Sequence, residues 1–324
     1  MTTIYAAYCK NEAIRKDSSS GGIFSILAEE VIRQGGVVWG AAYDTDFNVC
    51  HIEVSDSKDI SLLRGSKYVQ SRLSKEVIST IIYQLKEGKT VLFSGTPCQI
   101  EIIIKQLDSS LRKKLIAVDF TCHGTPLPEV WDAYLKDFKK KSGSICKVNM
   151  RNKKYGWKTY SMYIEFTNGD SFSEIFTFNH YSQAFLRNYS LRKACYTCAF
   201  RGVHPNSDIT LADYWDISKK HFRMNDDKGI SKLYVHTETG KSLINKIQSS
   251  IVLLKDQEIN NFRTPQKKII EPQNRKLFFD LLRTKGFKTA YMKTVYKGFL
   301  RELLIYMKGF SKIMLYYIRK YLHI

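Results

Sequence analysis

An α/β fold is predicted for this chain by three observations. Short runs rich in β-branched and aromatic residues alternate through the first half with segments whose apolar residues recur at the helical period. The strand-like runs end in turns marked by Gly and Pro, as in Gly95-Thr96-Pro97 and His123-Gly124-Thr125-Pro126. The 324 residues are 44% hydrophobic with only six prolines, so the chain can bury a sizeable core and has no composition for long disordered stretches.

In order, residues 4–9 read as a strand, and 18–22, three serines and two glycines, lead into the periodic segment 23–34, which stops at Gly35 and Gly36. Residues 37–44 and 48–54 form a strand pair, followed by a helical turn at 59–63 and a loop at 64–68. Ser74 is placed to cap a helix through Leu85, and 90–95 is a strand ending at Thr96-Pro97-Cys98. A helix over about 99–107 precedes the strand 115–122, and another helix runs through Tyr134. Beyond Lys141 the pattern becomes mixed α+β. Strands at 144–152 and 159–169 come next, the second ending at the hairpin signal Asn168-Gly169, and a helix is expected over 183–188. Strands at 209–215, 232–237 and 251–255 flank a helix over 240–247.

The 51 basic and 31 acidic residues give a net charge of +20. Residues 285–324 alone carry nine Lys/Arg against one Glu, so the excess is concentrated at the C-terminus. At the helical period the cations Lys293, Lys297, Arg301, Lys308, Lys312 and Arg319 fall within about −40° to +60°, and the apolar residues from Leu300 to Tyr321 within about 220° to 340°. This predicts a basic amphipathic C-terminal helix whose apolar face packs on its own domain, on a partner or into the interface of an anionic membrane surface, the last accounting for both faces as a peripheral contact. No DNA- or RNA-binding module is recognisable, and nucleic acid is not an expected partner. An N-terminus without an apolar h-region, and no uncharged apolar stretch of roughly 18 residues, place the protein in the cytoplasm, at most peripheral at the inner face of the membrane.

Seven cysteines in a reducing compartment are thiols or metal ligands. Cys98 and Cys122 each end a buried strand before a turn, where the ligand crevice of an α/β sheet opens. Cys195 and Cys198 form a CxxC whose two-residue turn lets both thiolates bind one metal centre. Four such thiolates suit a [4Fe–4S] cluster or a structural zinc, and spacing does not separate the two. Cys9, Cys50 and Cys146 lie in strand-like runs and read as small buried hydrophobes.

Other residue groups suggest binding. Ser18, Ser19, Ser20, Gly21 and Gly22 open a helix, where free N–H groups can meet a phosphate, although a tight turn with an ordinary cap explains them equally. Arg64, Gly65, Ser66, Lys67 and Tyr68 combine two cations, a hydroxyl and a flexible turn suited to an anion or a flavin carbonyl; a solvated loop is the alternative. Gly95 allows close backbone approach, Thr96 can cap the next helix, and Gln99 can meet a ring edge. His123 is placed to tune a neighbouring thiolate. Asp208 and Asp213 bracket a strand, Trp215 reads as core packing, and Lys228 and Ser231 are weaker phosphate contacts. No acid or base residue is singled out, and nothing resembles a Ser/His/Asp triad.

Taken together, the segments 18–29, 35–54, 63–71, 91–100, 119–126, 195–200, 207–215 and 227–241 resemble the coenzyme F420 hydrogenase/dehydrogenase beta-subunit family, over roughly residues 3–284. The resemblance implies a division into 1–82, a flavin-binding candidate, 83–284, carrying the iron–sulfur ligands, and the tail 285–324. It implies that Cys98, Cys122, Cys195 and Cys198 hold a [4Fe–4S] cluster. The implied function is an oxidoreductase passing electrons between that cluster, FAD and coenzyme F420 or another hydride acceptor. Many family members begin with a ferredoxin-like module, which this chain lacks, so a separate redox partner such as a ferredoxin is expected, besides an anionic coenzyme or small-molecule substrate. The likeness extends to members found in bacterial surface-polysaccharide gene sets. The alternative function is a non-redox, zinc-stabilised, membrane-associated accessory protein of polysaccharide biosynthesis.

Overall fold

The computed structural model describes residues 1–139, 143–203, 206–259, 268–296, 298, 304, 307, 311, 314 and 318. Among them are the strands β1 (Thr2–Cys9), β2 (Val37–Tyr43), β3 (Val49–Val54), β4 (Val91–Gly95), β5 (Leu115–Phe120), β6 (Ile145–Asn152), β7 (Ser161–Phe166), β8 (Ser171–Ile175), β9 (Ile209–Asp213), β10 (Ser231–Val235) and β11 (Ile251–Ile259). Contacts divide the chain into two units. The first comprises Met1–Gly65, Ser71–His123 and Ala199–Lys267, the second Ser66–Gln70, Gly124–Cys198 and Lys268–Ile324.

The first unit is α/β, as its alternating pattern predicts. Its mixed sheet has eight strands in the order β11-β1-β10-β9-β5-β4-β2-β3. β2, β4, β5 and β9 are parallel neighbours, and β10 is antiparallel to both β9 and β1. Five strands, β1, β2, β4, β5 and β9, therefore run in one direction and end at one edge. Leu27 and Val31 of the helix Ile23–Arg33, with Leu243 and Ile244 of the helix Glu238–Lys246, cover one face against Val38, Leu92 and Val118. Ile81, Leu85, Ile100 and Ile103 of the helices Lys75–Lys86 and Pro97–Ile104 cover the other face against Val91, Phe93 and Ala117. Parallel strands buried on both faces explain the near-continuous apolar runs at these positions.

Local signals behave as expected. Ser74 accepts from Val77 N–H at the start of Lys75–Lys86, and Thr237 accepts from Gly240 N–H at the start of Glu238–Lys246. β2 and β3 pair antiparallel, and β7 and β8 form a hairpin whose turn holds Gly169 at φ +88.

In the second unit the three-stranded sheet β6-β7-β8 is accompanied by the helices Pro128–Lys139, His180–Leu186 and Arg275–Lys285. Aromatic packing supplies much of its core: Trp131 meets Tyr181 edge-on, and Phe287 meets Tyr134 edge-on.

Two boundaries differ from the linear division into 1–82, 83–284 and 285–324. Strands β9 to β11 return to the sheet begun by β1, because their backbone groups complete its ladder, so the first unit is discontinuous. Nor is Lys285 the edge of the packed structure: Phe287, Ala290, Tyr291 and Val295 are buried in the second unit, which runs over Lys268–Ile324. Of the residues on the predicted amphipathic helix, Lys297, Leu300, Arg301, Leu303, Lys308, Phe310, Lys312, Arg319 and Tyr321 lie outside the described residues.

Candidate functional site

The common direction of β1, β2, β4, β5 and β9 gathers most first-unit candidates at their carboxyl edge, where an α/β sheet binds ligands. Cys9, Gly95 and Phe120 are the last residues of β1, β4 and β5, and the segment to His123 follows β5 there.

Cys98 sits in the first turn of the helix Pro97–Ile104, immediately after β4. Its sulfur lies 3.1 Å from the Thr96 hydroxyl. Gln99 is committed to the same turn. Its carboxamide oxygen accepts from the Thr96 N–H and the Thr96 hydroxyl, both at 3.0 Å, and its NH2 group donates to the Ser71 carbonyl at 3.4 Å. Thr96 and Gln99 thus build the helix start as the sequence suggests, and the Gln99 amide is engaged within the protein. A Cβ at Gly95 would approach Phe93 to 3.0 Å and Gln99 to 3.2 Å, so Gly95 serves the tight turn. Beneath it, His51 stacks on Phe93, and its ring nitrogens meet the Ser71 hydroxyl at 2.7 Å and the Ser94 carbonyl at 3.1 Å.

The Ser18-to-Gly22 segment is a packed bridge. A Cβ on Gly21 would stand 2.5 Å from the Ala7 carbonyl and 2.8 Å from Ser231 N, and Gly22 adopts φ +84. Ser18 donates to the Ile14 carbonyl, Ser20 to the Ile230 carbonyl, and Gly21 N–H to the Ser231 hydroxyl. The following helix Ile23–Arg33 has no side-chain cap. Arg64 donates from Nε to the Ser25 hydroxyl at 3.0 Å, bringing a guanidinium to the first turn of that helix. Two sequence-predicted groups, the serine-glycine helix start and Arg64, thereby meet at an anion-favouring helix terminus.

The rest of the Arg64-to-Tyr68 loop divides. Gly65, at φ +86 with open space around its Cα, ends the first segment of the first unit, while Ser66, Lys67 and Tyr68 belong to the second. Tyr68 is held there: its N–H donates to Met150 sulfur, its carbonyl accepts from Tyr181 hydroxyl, its own hydroxyl accepts from Arg151, and its ring stacks on Phe185. Burial pushes the Lys67 ammonium down to about 7, because charge is disfavoured away from water.

Of the four predicted ligands, Cys98 and Cys122 belong to the first unit, and Cys195 and Cys198 to the second. All four are partly buried thiols. In the second unit, the stretch that follows Cys122 in the chain is clipped to the stretch that precedes the CxxC. Leu127 N–H donates to Ser190 carbonyl, Arg192 N–H to Thr125 carbonyl, and Pro126 bridges to Leu191. Thr125 N–H donates to Cys195 sulfur at 3.5 Å, and its hydroxyl lies 3.7 Å from the same sulfur. Gly124, at φ +142, packs against Leu191, which a Cβ there would meet at 3.0 Å, with the Cβ of Cys195 next at an ordinary 3.4 Å. Donors directed at sulfur suit a metal-bound thiolate. Within each unit, no group of three or more His, Cys, Asp or Glu side chains among the described residues is gathered as a metal site.

Several readings need correction. Cys9 is a small buried residue, and burial raises its thiol, but Cys50 is only half-buried and Cys146 is exposed on β6. Trp215 is 48% exposed at the carboxyl edge, whereas its neighbour Tyr214 is buried and donates to Asp256 at 2.5 Å. Lys228 pairs with Glu12 at 2.8 Å. Sequence reasoning also missed Arg15, which is buried over the Tyr8 ring, donates to both Asp226 oxygens and to the Gly229 carbonyl, and fixes the loop before β10. It missed Asp119 as well. Burial pushes that carboxyl up to about 6, and its Oδ1 accepts no hydrogen bond. A lone acid among the apolar residues of β5 was the available signal.

Residues 4–77 match the N-terminal family profile, and residues 88–259 the C-terminal family profile, of the coenzyme F420 hydrogenase/dehydrogenase beta subunit. A chain in the xenon-derivatised F420-reducing [NiFe] hydrogenase complex from Methanosarcina barkeri has a similar fold, with 16% identity and a TM-score of 0.56 over 78% of this chain and 81% of that one. No curated protein sequence matches this chain. No helix among the described residues is long and apolar enough to cross a membrane.

Proposed function

We infer function from one premise: the chain belongs to the coenzyme F420 hydrogenase/dehydrogenase beta-subunit family, a family of oxidoreductases. The reading is an iron–sulfur flavoprotein that passes electrons between a [4Fe–4S] cluster, FAD and a deazaflavin or other hydride acceptor, supplied by a separate redox partner such as a ferredoxin. When bound, the cluster supplies one-electron steps and the flavin hydride transfer.

The observation that carries this reading is the clip joining residues 124–127 to residues 190–192, with Thr125 directed at the Cys195 sulfur. A CxxC with a fixed neighbouring donor is better suited to hold a metal centre than a mobile redox dithiol. Cys98, Cys122, Cys195 and Cys198 are the proposed ligands. Thr125 places a polar hydrogen beside the Cys195 sulfur, which favours the thiolate and its bonded iron. On the flavin side, the uncapped start of Ile23–Arg33 and the Arg64 guanidinium present N–H groups and positive charge to a phosphate.

Anaerobic purification with iron, sulfide, zinc and flavin assays tests the reading. Bound iron and sulfide with flavin support it, and a colourless protein holding zinc replaces it with the non-redox alternative. Arg64→Glu is expected to lower flavin occupancy while leaving iron in place.

A further inference from the structure

The helices that close the second unit end in buried contacts: Phe287 packs on Tyr134, His180 stacks on Tyr291, and Arg187 donates to the Val295 carbonyl. Beyond Tyr296 this burial reverses. Leu304, Met307, Ser311, Met314 and Ile318 are each α-helical, and at about 100° per residue they fall within one arc of about 80°. All five are exposed. The four apolar members show 60%, 61%, 55% and 39% of their surfaces to solvent. A continuous apolar stripe in water marks an interaction surface.

The sequence supplies the chemistry of the partner. Beyond Gly298, which lies outside the helix at φ +92, Arg301, Lys308, Lys312 and Arg319 recur at intervals of seven and four, a helical spacing, and Glu302 is the sole acid from 285 to 324. We propose that the segment beyond Tyr296 lies on an anionic lipid bilayer, with the apolar stripe in the acyl boundary and the cations at the headgroup phosphates. Covering the stripe with a second copy of the chain brings two strongly cationic segments together with no counter-charge. An anionic leaflet buries the same stripe and neutralises the cations, and the frequency of Lys and Arg keeps the segment at the interface. This inference does not depend on the redox reading.

The test is co-sedimentation of the full chain with phosphatidylcholine vesicles and with mixed phosphatidylglycerol/phosphatidylcholine vesicles. Binding is expected to the mixed vesicles at low salt and to be lost at high salt. The variant Leu304→Gln/Met307→Gln/Met314→Gln/Ile318→Gln and the variant Lys308→Glu/Lys312→Glu are each expected to lower partitioning by about tenfold or more. Their unfolding midpoints should match the parent, because neither variant touches the buried contacts up to Val295. A full chain that stays in solution with anionic vesicles overturns the proposal. So does a charge-reversed variant that binds as well as the parent, or a vesicle-indifferent dimer that the apolar-stripe variant converts to monomer.

Discussion

In the first unit, Asp208 is fixed from three directions. Its carboxylate accepts from Arg112 at 3.1 Å, from Ala117 N–H at 2.8 Å and from the Thr237 hydroxyl at 2.6 Å, and Asp208 itself is buried beside β5, β9 and β10. In the second unit, Cys195 closes the 3-10 turn Lys193–Cys195, half-exposed, with the Thr125 N–H and hydroxyl at its sulfur. The first arrangement is part of the ladder that holds the sheet together. The second is a loop position whose neighbours are local turns. Polar groups in the sheet should therefore report on folding, and the CxxC on what it binds.

The largest expected effect is at Asp208. Asp208→Ala leaves Arg112 and two other donors without their acceptor, and urea unfolding should show a loss of about 3–5 kcal/mol. A loss below about 1 kcal/mol breaks the comparison. Gly21→Val comes next, because its side chain would overlap the Ala7 carbonyl and Ser231 backbone. A cost of about 2–3 kcal/mol is expected by the same measurement.

Asp119 gives a pH-dependent effect. Its carboxyl ordinarily titrates at 3.8 and is raised to about 6 by burial, so the folded state holds its proton more tightly. Stability from this group is fully present below 3.8 and is lost as pH rises through about 6. Asp119→Asn removes the cost of an ionised buried carboxylate, so it should stabilise the protein by about 2 kcal/mol at pH 8 relative to the parent, an advantage that vanishes near pH 4. His236 titrates in the opposite sense. Burial lowers it from 6.5 to about 4, against the opposing pull of the Asp208 carboxylate, so its contribution is lost as pH falls through that window. The His236 Nε2 meets Thr210, whose hydroxyl also serves Asp119. The parent's two slopes offset one another, and the asparagine variant should expose the His236 slope in chemical unfolding from pH 7 to 4.

Cys195→Ser sharpens the other side of the comparison. Bound iron should fall sharply, yet the cluster-free proteins should unfold within about 0.5 kcal/mol of one another, since a near-isosteric hydroxyl replaces a half-exposed thiol. The smallest effect is at Lys193, whose ion pair with Glu271 at 2.7 Å is solvent-exposed. Lys193→Ala should change stability by no more than about 0.5 kcal/mol.

The candidate site was legible in the sequence where chemistry and local geometry coincide. The CxxC, the Thr96-to-Gln99 helix start and the serine-glycine turn each announce themselves within a few residues, since caps and turns are short-range devices. Trp215 was misplaced because it follows β9 immediately, where the alternation that would orient a strand residue no longer applies. Arg15 was missed because its partners, Asp226 and Gly229, lie more than two hundred residues away, and a basic residue at the end of a short helix reads as a solvated charge.

By itself, the amino-acid sequence determined the α/β class, most strand and helix positions, and the motif order by which the family is recognised. These follow from side-chain periodicity and capping, which act over a few residues. Only the tertiary structure decided that β9, β10 and β11 rejoin the sheet started by β1, that Phe287 and Val295 belong to the core of the second unit, and that Arg64 reaches the helix opened by Gly22. Strand order depends on which backbone edges find partners after long excursions of chain, and burial depends on what those pairings bring over each side chain. Neither is encoded in any local window, because the free energy of each pairing is shared by the whole sheet.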